Sequence, residues 1–489
     1  MALAQRPALP KSFSEVRKVH ILGVCGTLMG AFAAYLKRQG LKVSGSDQNV
    51  YPPMSDVLAS AGVELFQPFS PDNLVRAGKD VDLIVVGNVI PASNPEMVAA
   101  AASGIPYGSL PEVMERFLLP QTRNLVVAGT HGKTTTSTLL AHVLNQCGKN
   151  PSYFFGGVSQ DLVESFHVSS TAKGSYFVLE GDEYDTAYWD KVPKFNHYLP
   201  DDTILTSVEF DHADIYRDLA HVKEAFKGLV SRIRPDGRLI ACLDFAAVRE
   251  VIADAKVPIL TYGGQGGHGA RFEPRGVRLG ADGAWFEVWD GGKKVDEVST
   301  SMSGMHNVMN ALAVWIECRE LGLDPGAVRK AIASYRGVKR RQEVRGEPGG
   351  VLVIDDFAHH PTAVKTTLLG LRAKYNGRRL VAVFEPRSAT SRRKVFQRDY
   401  VEALGIADEA FVATPYDQTK IAEGDRFSTD DLVKDLVEAG TPSHTFGIIE
   451  VGVEQVANAT RPGDVVAVLS NGGFGGFIPK LLTSLQGKS

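Results

Sequence analysis

The chain has 489 residues, of which 44% are hydrophobic and 22% are charged, and this composition excludes a disordered, collagen-like or coiled-coil protein. At roughly 150 residues per domain, the length predicts about three domains. Lys and Arg total 53 and Asp and Glu total 56, so the net charge of -3 excludes an extended basic surface for nucleic acid. Any anion-binding site must therefore be local.

The cysteines and the chain start predict the compartment. Cys25, Cys147, Cys242 and Cys318 lack the spacing of a zinc motif and are too few for a disulfide framework, which predicts free thiols in a reducing compartment. Residues 1–14 lack the apolar run of a signal peptide, and other uncharged stretches are interrupted by Pro, Asn, Ser and Gly. We expect a cytoplasmic protein with no membrane insertion.

Short apolar strands alternate with helical patterns at the start of the chain. Residues 19–22 predict a strand, residues 31–39 a helix, and residues 42–47 and 83–88 two further strands. Such alternation is typical of a doubly wound α/β sheet. This part of the chain is therefore predicted to form a sheet of the nucleotide-binding type.

The loop after the first strand is a weak nucleotide-binding signal. Gly23, Gly26 and Gly30 follow the strand, but their spacing differs from the dinucleotide motif G-x-G-x-x-G. Asp47 ends the next predicted strand, where an acidic side chain can bind a ribose hydroxyl. The pattern favours a nucleotide or nucleotide-sugar site. Simple helix–strand packing would also explain the glycines, and an NAD-binding oxidoreductase or sensor is an alternative that depends on this loop alone.

A second domain is predicted to begin after the polar segment 119–123. An apolar strand at 125–128 enters the loop G-T-H-G-K-T at 129–134, which leads into a helical run. In such a loop, backbone N–H groups converge on phosphate oxygens, Lys133 reaches the β- and γ-phosphates, and Thr134 joins the Mg²⁺ shell. The spacing is not the strict Walker A spacing, because Val127 stands at the position of the first glycine. A plain turn with a solvated lysine is the alternative. Because an exposed loop lysine contributes little to folding, Lys133→Ala is expected to remove activity with little loss of stability.

Two acidic segments follow later predicted strands. Residues 180–185 come after a strand at 177–180, and residues 209–214 come after a strand at 204–206 and include a histidine. Because ligands of parallel sheets bind outside the carboxyl ends of the strands, these segments are candidates for binding Mg²⁺, which prefers oxygen ligands. Acidic loops that are merely solvated are the alternative.

The rest of the chain predicts an insertion and a third domain. The glycine-rich stretch 263–292 alternates apolar and polar residues, which predicts antiparallel β structure. A break is expected near residues 334–337. Beyond it, predicted strands alternate with helical segments, at 351–354, 380–384, 411–414 and 465–469. The chain is therefore predicted to contain three unlike α/β domains.

Several of these motifs together resemble the Mur ligase family. They are the loop 129–134, the acidic segments 180–185 and 209–214, the pair His306-Asn307 and the segment 355–361. The resemblance covers essentially the whole chain in the expected order. Members of this family are ATP-dependent amino-acid and peptide ligases that act on UDP-N-acetylmuramyl substrates.

The resemblance implies an α/β fold with three domains. A Rossmann-like domain at 1–122 is expected to bind the UDP-sugar. A central P-loop-type ATPase domain with a mostly parallel sheet is expected at 123–335. A Rossmann-like C-terminal domain at 336–489 is expected to bind the peptide.

Within the family, four stretches favour one activity, and they lie at residues 49–55, 209–215, 385–388 and 470–476. They are similar to members that join the tripeptide L-Ala-γ-D-Glu-meso-diaminopimelate to UDP-N-acetylmuramate through an acyl phosphate, in peptidoglycan recycling. The alternative is the member that adds L-alanine in de novo peptidoglycan synthesis. A P-loop switch that binds partners without ligation is a further alternative. We expect small-molecule substrates only, no nucleic acid, and a monomer.

The resemblance also implies roles for individual residues. The UDP moiety is expected to bind Gly26, Thr27, Met29 and Asp47. ATP is expected to bind Gly129, Thr130, His131, Gly132, Lys133, Thr134, Thr135, Asn307, Arg341 and Asp356. The predicted catalytic residues are Lys133, His212 and Arg341. His359 is a further candidate near the reacting groups, and a purely structural role is equally open.

Metal and peptide ligands complete the expected site. The implied Mg²⁺ ligands are Thr134, Glu180 and His212, with Glu183 as the alternative to Glu180. Arg387 and Arg393 are expected to bind the carboxylates of the peptide, because planar guanidinium groups suit bidentate binding. His212 is the implied ligand of a second metal ion. Ser207 stands where many relatives have Asn, so the residues around this second metal are expected to differ. Whether Lys227 carries the carbamyl group of some relatives stays open.

Overall fold

The computed structural model describes residues 6–50, 54–264 and 268–487. The chain forms two compact units. The first unit contains Met1–Val208, Ala220–Tyr262 and Ile316–Val328, and the second contains Glu209–Leu219, Gly263–Trp315 and Arg329–Ser489. Each unit is therefore assembled from segments that are distant in the sequence.

A parallel sheet forms the first part of the first unit. After a 3₁₀ turn at Phe13–Glu15, the elements are β1 (Lys18–Leu22), α1 (Thr27–Arg38), β2 (Lys42–Ser46), α2 (Met54–Ser60), β3 (Glu64–Phe66), α3 (Pro71–Ala77), β4 (Leu83–Val86), α4 (Pro95–Ala102), β5 (Tyr107–Ser109) and α5 (Leu110–Phe117). The strand order is β3-β2-β1-β4-β5, and all pairs are parallel. This order is the Rossmann order, so the predicted Rossmann-like fold is confirmed.

A larger, mostly parallel sheet forms the rest of the first unit. Its elements are β6 (Arg123–Ala128), α6 (Lys133–Gln146), β7 (Ser152–Phe154), β8 (Phe166–His167), β9 (Tyr176–Gly181), β10 (Asp185–Ala187), β11 (Asp190–Pro193), a 3₁₀ turn (Lys194–His197), β12 (Asp202–Leu205), α7 (Leu219–Val230), β13 (Arg238–Cys242), α8 (Ala246–Val251) and β14 (Ile259–Tyr262). Strand β6 lies between β9 and β12 and is parallel to both. The carboxyl ends of these three strands therefore lie side by side.

The hairpin formed by β10 and β11 contacts helix α5 of the first sheet. The indole Nε1 of Trp189, at the hairpin turn, donates to Glu112 Oε2 at 3.3 Å. His197 lies between two carboxylates, 2.5 Å from Glu115 and 2.8 Å from Asp190. Burial would lower the pKa of His197, but hydrogen bonds to these two carboxylates raise it above its usual value. The His197 imidazole therefore bridges Asp190 of the hairpin and Glu115 of α5.

An antiparallel sheet begins the second unit. Its strands are β15 (Phe272–Gly280), β16 (Gly283–Asp290) and β17 (Lys293–Thr300), and consecutive strands pair antiparallel. The predicted antiparallel insertion is confirmed, but its predicted end at residue 292 is wrong. Gly291 and Gly292 have φ values of 55° and 81° and form the tight turn from β16 to β17, so the insertion extends one strand further.

Two helices and a second α/β sheet follow. The elements are α9 (Met305–Glu320), α10 (Pro325–Ser334), β18 (Glu343–Gly346), a 3₁₀ turn (Pro348–Gly350), β19 (Leu352–Asp356), α11 (Pro361–Lys374), β20 (Leu380–Phe384), a 3₁₀ turn (Lys394–Phe396), α12 (Gln397–Leu404), β21 (Glu409–Ala413), a 3₁₀ turn (Glu423–Asp425), α13 (Thr429–Glu438), β22 (Ser443–Phe446), α14 (Ile449–Ala459), β23 (Val465–Leu469), a 3₁₀ turn (Phe474–Gly476) and α15 (Phe477–Gln486). The order is β18-β19-β23-β20-β21-β22, and only β18 pairs antiparallel among the described strands of this sheet.

Two apolar cores cover the two faces of this C-terminal sheet. Alternate residues of β20 point to opposite faces, so Ala382 and Phe384 belong to one core and Val381 and Val383 to the other. All four are fully buried. Strands buried on both faces read as continuous apolar runs, which is why the sequence predicts them readily.

No helix in the described parts of the chain is long and apolar enough to cross a lipid bilayer.

The cysteines are free thiols, as predicted. Cys242 and Cys318 are buried, and burial raises the pKa of Cys242 to about 12. Cys25 and Cys147 are partly exposed.

Candidate functional site

The predicted phosphate loop connects β6 to α6 at the carboxyl edge of the central sheet. Gly129 has a φ of 137°, and a Cβ there would lie 2.2 Å from Thr206 Oγ1. Only glycine fits this conformation and this close approach. The loop is also held by the segment after β12, because Ser207 O accepts from Thr130 N at 3.0 Å and Ser207 Oγ accepts from His131 N at 2.8 Å. Ser207 thus fixes the backbone of the phosphate loop.

Lys133, at the first position of α6, is enclosed by oxygen atoms. Its Nζ donates to the carbonyl oxygens of Gly129 at 2.6 Å and Thr130 at 3.2 Å, and it lies 2.9 Å from the Glu183 carboxylate. Burial would lower the pKa of Lys133, but Glu183 and the neighbouring carboxylates raise it. The premise of an exposed, solvated loop lysine is therefore wrong: its side chain is 14% exposed and paired with a carboxylate that is 3% exposed.

The acidic segment 180–185 begins within β9 and lies beside the loop. Thr134 Oγ1 donates to Glu180 Oε1 at 2.7 Å, and Gly156 N donates to Glu180 Oε2 at 2.7 Å. Burial raises the pKa of Glu180, and these neutral donors only partly offset the effect. Asp182 differs: burial would raise its pKa, but Lys194 at 2.6 Å contributes most to lowering it to about 2. Of these two carboxylates, Glu180 has the less compensated charge.

The residues predicted to bind the UDP moiety lie together at the carboxyl edge of the first sheet. Gly26 precedes α1, Thr27 and Met29 lie in its first turn, and Asp47 directly follows the adjacent strand β2. Asp47 Oδ2 accepts from Cys25 N at 2.9 Å and so fixes the loop after β1. Part of the neighbouring stretch 49–55, namely residues 51–53, lies outside the described residues.

The remaining predicted ATP residues lie in the second unit. Asp356, at the end of β19, accepts from the backbone N–H groups of Gln342 and Ala358, each at 2.8 Å. Burial raises the pKa of Asp356, and the Arg341 guanidinium opposes this. Arg341 also lies over the Phe357 ring, 5.0 Å from its centroid. Arg341 and Asp356 are therefore brought together by the loop that follows β19.

Asn307, one of the residues predicted to bind ATP, lies in the first turn of helix α9. Asn307 is 7% exposed, and its Nδ2 donates to Ser303 O at 2.9 Å. Burial lowers the pKa of the adjacent His306 to about 4, and the charge of Arg341 acts in the same direction. The pair His306-Asn307 thus belongs to the same neighbourhood as Arg341.

The segment that contains His212 packs on the C-terminal sheet domain within the second unit. His212 has a φ of 55°, and its N–H donates to Asp211 Oδ1 at 2.7 Å. Asp211 Oδ2 lies 3.5 Å from His359 Nε2, and Thr390 Oγ1 accepts from Ala213 N at 3.1 Å. His359 is thus close to the predicted metal-binding histidine segment. Lys227, on α7 of the first unit, is exposed and lies 3.1 Å from Glu224.

The two arginines predicted to bind the peptide lie in the loop after β20. Arg387 is partly exposed, lies 3.4 Å from Glu385 Oε1 and stacks on the Tyr416 ring. Arg393 N donates to Thr390 O at 3.0 Å, and Arg393 Nε has no hydrogen-bond partner among the described residues. Both arginine side chains are partly exposed, so both remain candidates for binding the peptide.

Three family models match the chain. Residues 18–122 match the Mur ligase family catalytic domain, residues 127–317 the Mur ligase middle domain, and residues 340–472 the Mur ligase glutamate ligase domain. The chain belongs to the Mur ligase family and is an ATP-dependent ligase that forms a carbon–nitrogen bond. The expectation drawn from the motifs is confirmed.

Relatives within the family include tripeptide ligases and L-alanine ligases. The chain is 38% identical over 474 residues to UDP-N-acetylmuramate–L-alanyl-γ-D-glutamyl-meso-2,6-diaminoheptandioate ligase of Escherichia coli (strain K12), covering 96% of this chain and 99% of that protein. It is 35% identical over 400 residues to UDP-N-acetylmuramate–L-alanine ligase of Rubrobacter xylanophilus, covering 82% of this chain and 84% of that protein.

A solved structure supports the same grouping. The crystal structure of a murein peptide ligase from Psychrobacter arcticus is 31% identical, with a TM-score of 0.70, and covers 96% of this chain and 99% of that chain. The predicted fold, with three α/β domains and mostly parallel sheets, is confirmed by this likeness.

Proposed function

We propose that the protein joins L-Ala-γ-D-Glu-meso-diaminopimelate to UDP-N-acetylmuramate at the expense of ATP, in peptidoglycan recycling. The observation that carries the proposal is the 38% identity to a tripeptide ligase over 96% of the chain. The γ-phosphoryl group of ATP passes to the lactyl carboxylate, which gives an acyl phosphate and ADP. The α-amine of the peptide's alanine then attacks the acyl carbon, loses a proton, and phosphate leaves as the amide forms.

The phosphate loop would bind ATP with a lysine, Lys133, that is already positively charged. Gly129 to Thr135 would offer backbone N–H groups at the start of α6, and Lys133 would exchange its carbonyl and Glu183 contacts for phosphate oxygens. The raised pKa of Lys133 keeps the ammonium charged before ATP arrives. Positioning and neutralisation of the moving negative charge would supply most of the catalysis.

Mg²⁺ fits the oxygen atoms beside the loop. Thr134 Oγ1 and Glu180 Oε1 are 2.7 Å apart, and hydroxyl and carboxylate oxygens are the ligands that Mg²⁺ prefers. The burial of Glu180, which its donors only partly offset, also favours a cation, whereas Glu183 is already paired with Lys133. When bound, Mg²⁺ supplies charge neutralisation at the phosphates. We therefore assign Glu180, and not Glu183, as the ligand.

The other assignments follow the family resemblance. His212 would hold the second metal, Arg341 would act on the γ-phosphate, and Asn307 and Asp356 would bind the adenosine. Gly26, Thr27, Met29 and Asp47 would bind the UDP moiety. The domain bounds would be 1–122, 123–335 and 336–489, in a cytoplasmic monomer that binds no nucleic acid.

Arg387 and Arg393 would bind the acceptor peptide. The tripeptide carries three free carboxylates, whereas free L-alanine carries one. A guanidinium that is open on one edge suits the former substrate, because it can form two parallel hydrogen bonds to a carboxylate.

The test is ADP release with ATP, Mg²⁺ and UDP-N-acetylmuramate, plus either the tripeptide or free L-alanine. We expect faster turnover with the tripeptide. Faster turnover with L-alanine would instead assign the activity of the L-alanine ligases, which match at 35% identity over 82% of the chain. ADP release that is indifferent to both acceptors would identify a nucleotide switch. Lys133→Ala is the control for contaminating ATPases.

A further inference from the structure

We propose that Tyr416 is a positioning residue of the peptide site, which holds the guanidinium plane of Arg387 ready for a carboxylate of the acceptor. This inference rests on the proposed function. Tyr416 follows β21, and Arg387 follows the adjacent parallel strand β20. Both therefore lie at the carboxyl edge of the C-terminal sheet, where ligands of open α/β sheets bind.

Three contacts define the orientation of Arg387. Its guanidinium carbon lies 4.3 Å from the centroid of the Tyr416 ring, a distance typical of cation–π stacking. Its Nη1 lies 3.4 Å from Glu385 Oε1, which is too long for a strong charge-assisted hydrogen bond. A Cβ at Gly472 would lie 2.2 Å from Arg387 Nε, so the glycine leaves the space that the side chain fills. Stacking and shape, more than the ion pair, thus fix the guanidinium plane.

The Tyr416 loop is tied to the Arg387 loop. The guanidinium of Arg392 donates to the carbonyl oxygen of Asp417, and Gln418 Nε2 donates to Arg392 O at 2.8 Å. Asp417 Oδ1 in turn accepts from Thr419 N at 2.9 Å. These bonds hold the backbone around Tyr416, although the residue is 67% exposed.

The exposure of Tyr416 argues against a packing role. A residue that is 67% exposed buries little apolar area, so removing its side chain should cost little stability. Stacking on a cation, by contrast, restricts the guanidinium without using its N–H donors. The donors on the edge away from Glu385 stay available for a carboxylate of the peptide.

The experiment is a double-mutant cycle on the full chain, with KM measured for the tripeptide and for ATP. Tyr416→Ala should raise the tripeptide KM about threefold, from the strength of an exposed cation–π contact, and should leave kcat and the KM of ATP unchanged. Tyr416→Phe keeps the ring and should restore the KM. Val437→Ala, at an exposed position on α13, is the matched control for loss of exposed apolar surface.

The decisive arm is the Arg387→Ala background. There, Tyr416→Ala should have no further effect on the tripeptide KM, because Tyr416 acts through Arg387. A second threefold rise in that background, or an unchanged KM in the single variant, would overturn the positioning role. Failure of the proposed function is distinguishable, because the unmodified protein would then not turn over the tripeptide at all.

Discussion

Replacing Lys133 with alanine tests whether the lysine of the phosphate loop forms a buried ion pair with Glu183. The variant would leave Glu183, 3% exposed, without the ammonium that lies 2.9 Å away. Breaking a buried pair by removing one partner costs about 3–5 kcal/mol. Because the lysine side chain keeps 14% exposure, we expect a value near the lower end, about 3 kcal/mol. ATP turnover should be lost as well.

The assay is native-state amide hydrogen exchange of α6, which reports the local free energy of opening in the first unit alone. Glu183→Gln removes the buried charge, so the double variant Lys133→Ala/Glu183→Gln should recover about 2 kcal/mol of the loss while remaining inactive. If Lys133→Ala changes the exchange free energy by less than about 0.5 kcal/mol, the lysine is solvated in solution and the reasoning is refuted.

Three further predictions concern the same unit. Thr134→Ala should raise the Mg²⁺ concentration needed for half-maximal activity about tenfold, because it removes a metal-binding hydroxyl. Thr134→Ser keeps the hydroxyl and should have no such effect. If both variants changed a Mg²⁺ titration equally, Thr134 would not be a metal ligand. Gly129→Ala should destabilise the unit by about 3 kcal/mol in α6 exchange, because of its positive φ and the contact with Thr206, whereas Gly228→Ala on α7 should be neutral or stabilising. The raised pKa of His197 means that its contribution to stability is complete below the unfolded pKa of about 6.5 and is lost as the pH rises through the higher folded value. Calorimetry at pH 6 and pH 9 should therefore show a larger fall in Tm for the unmodified protein than for His197→Gln, and equal falls would contradict the ion-pair account.

Much of the fold could be predicted because buried parallel strands are continuous apolar runs in the sequence. The strand before the phosphate loop and the strand at 380–384 are unbroken apolar runs, and the structure has strands at both places. Short strands such as β7 and β8, with three and two residues, leave no comparable pattern. They exist because β7 pairs with β9 on one side and with β8 on the other.

The site residues also differ in how far the sequence predicts their contacts. The glycines and the lysine of the phosphate loop are local in the sequence, so their spacing predicts the loop. The pairing of Lys133 with Glu183 depends on the register of β6 against β9, in which Ala128 lies opposite Gly181. That register joins residues about fifty positions apart and is not visible in a linear pattern. The contacts of Ser207 with the phosphate loop and of Lys194 with Asp182 were not predicted for the same reason.

The C-terminal sheet has a consequence for how such a ligase can diversify. Arg387, Tyr416 and Gly472 lie in the loops that follow β20, β21 and β23. The strands themselves are enclosed between two buried cores. Apart from core residues such as Phe427 and Phe474, substitutions in these loops leave the two cores intact. If the loops bind the acceptor as proposed, exchanging them between relatives should change the peptide that is accepted at little cost in folding stability.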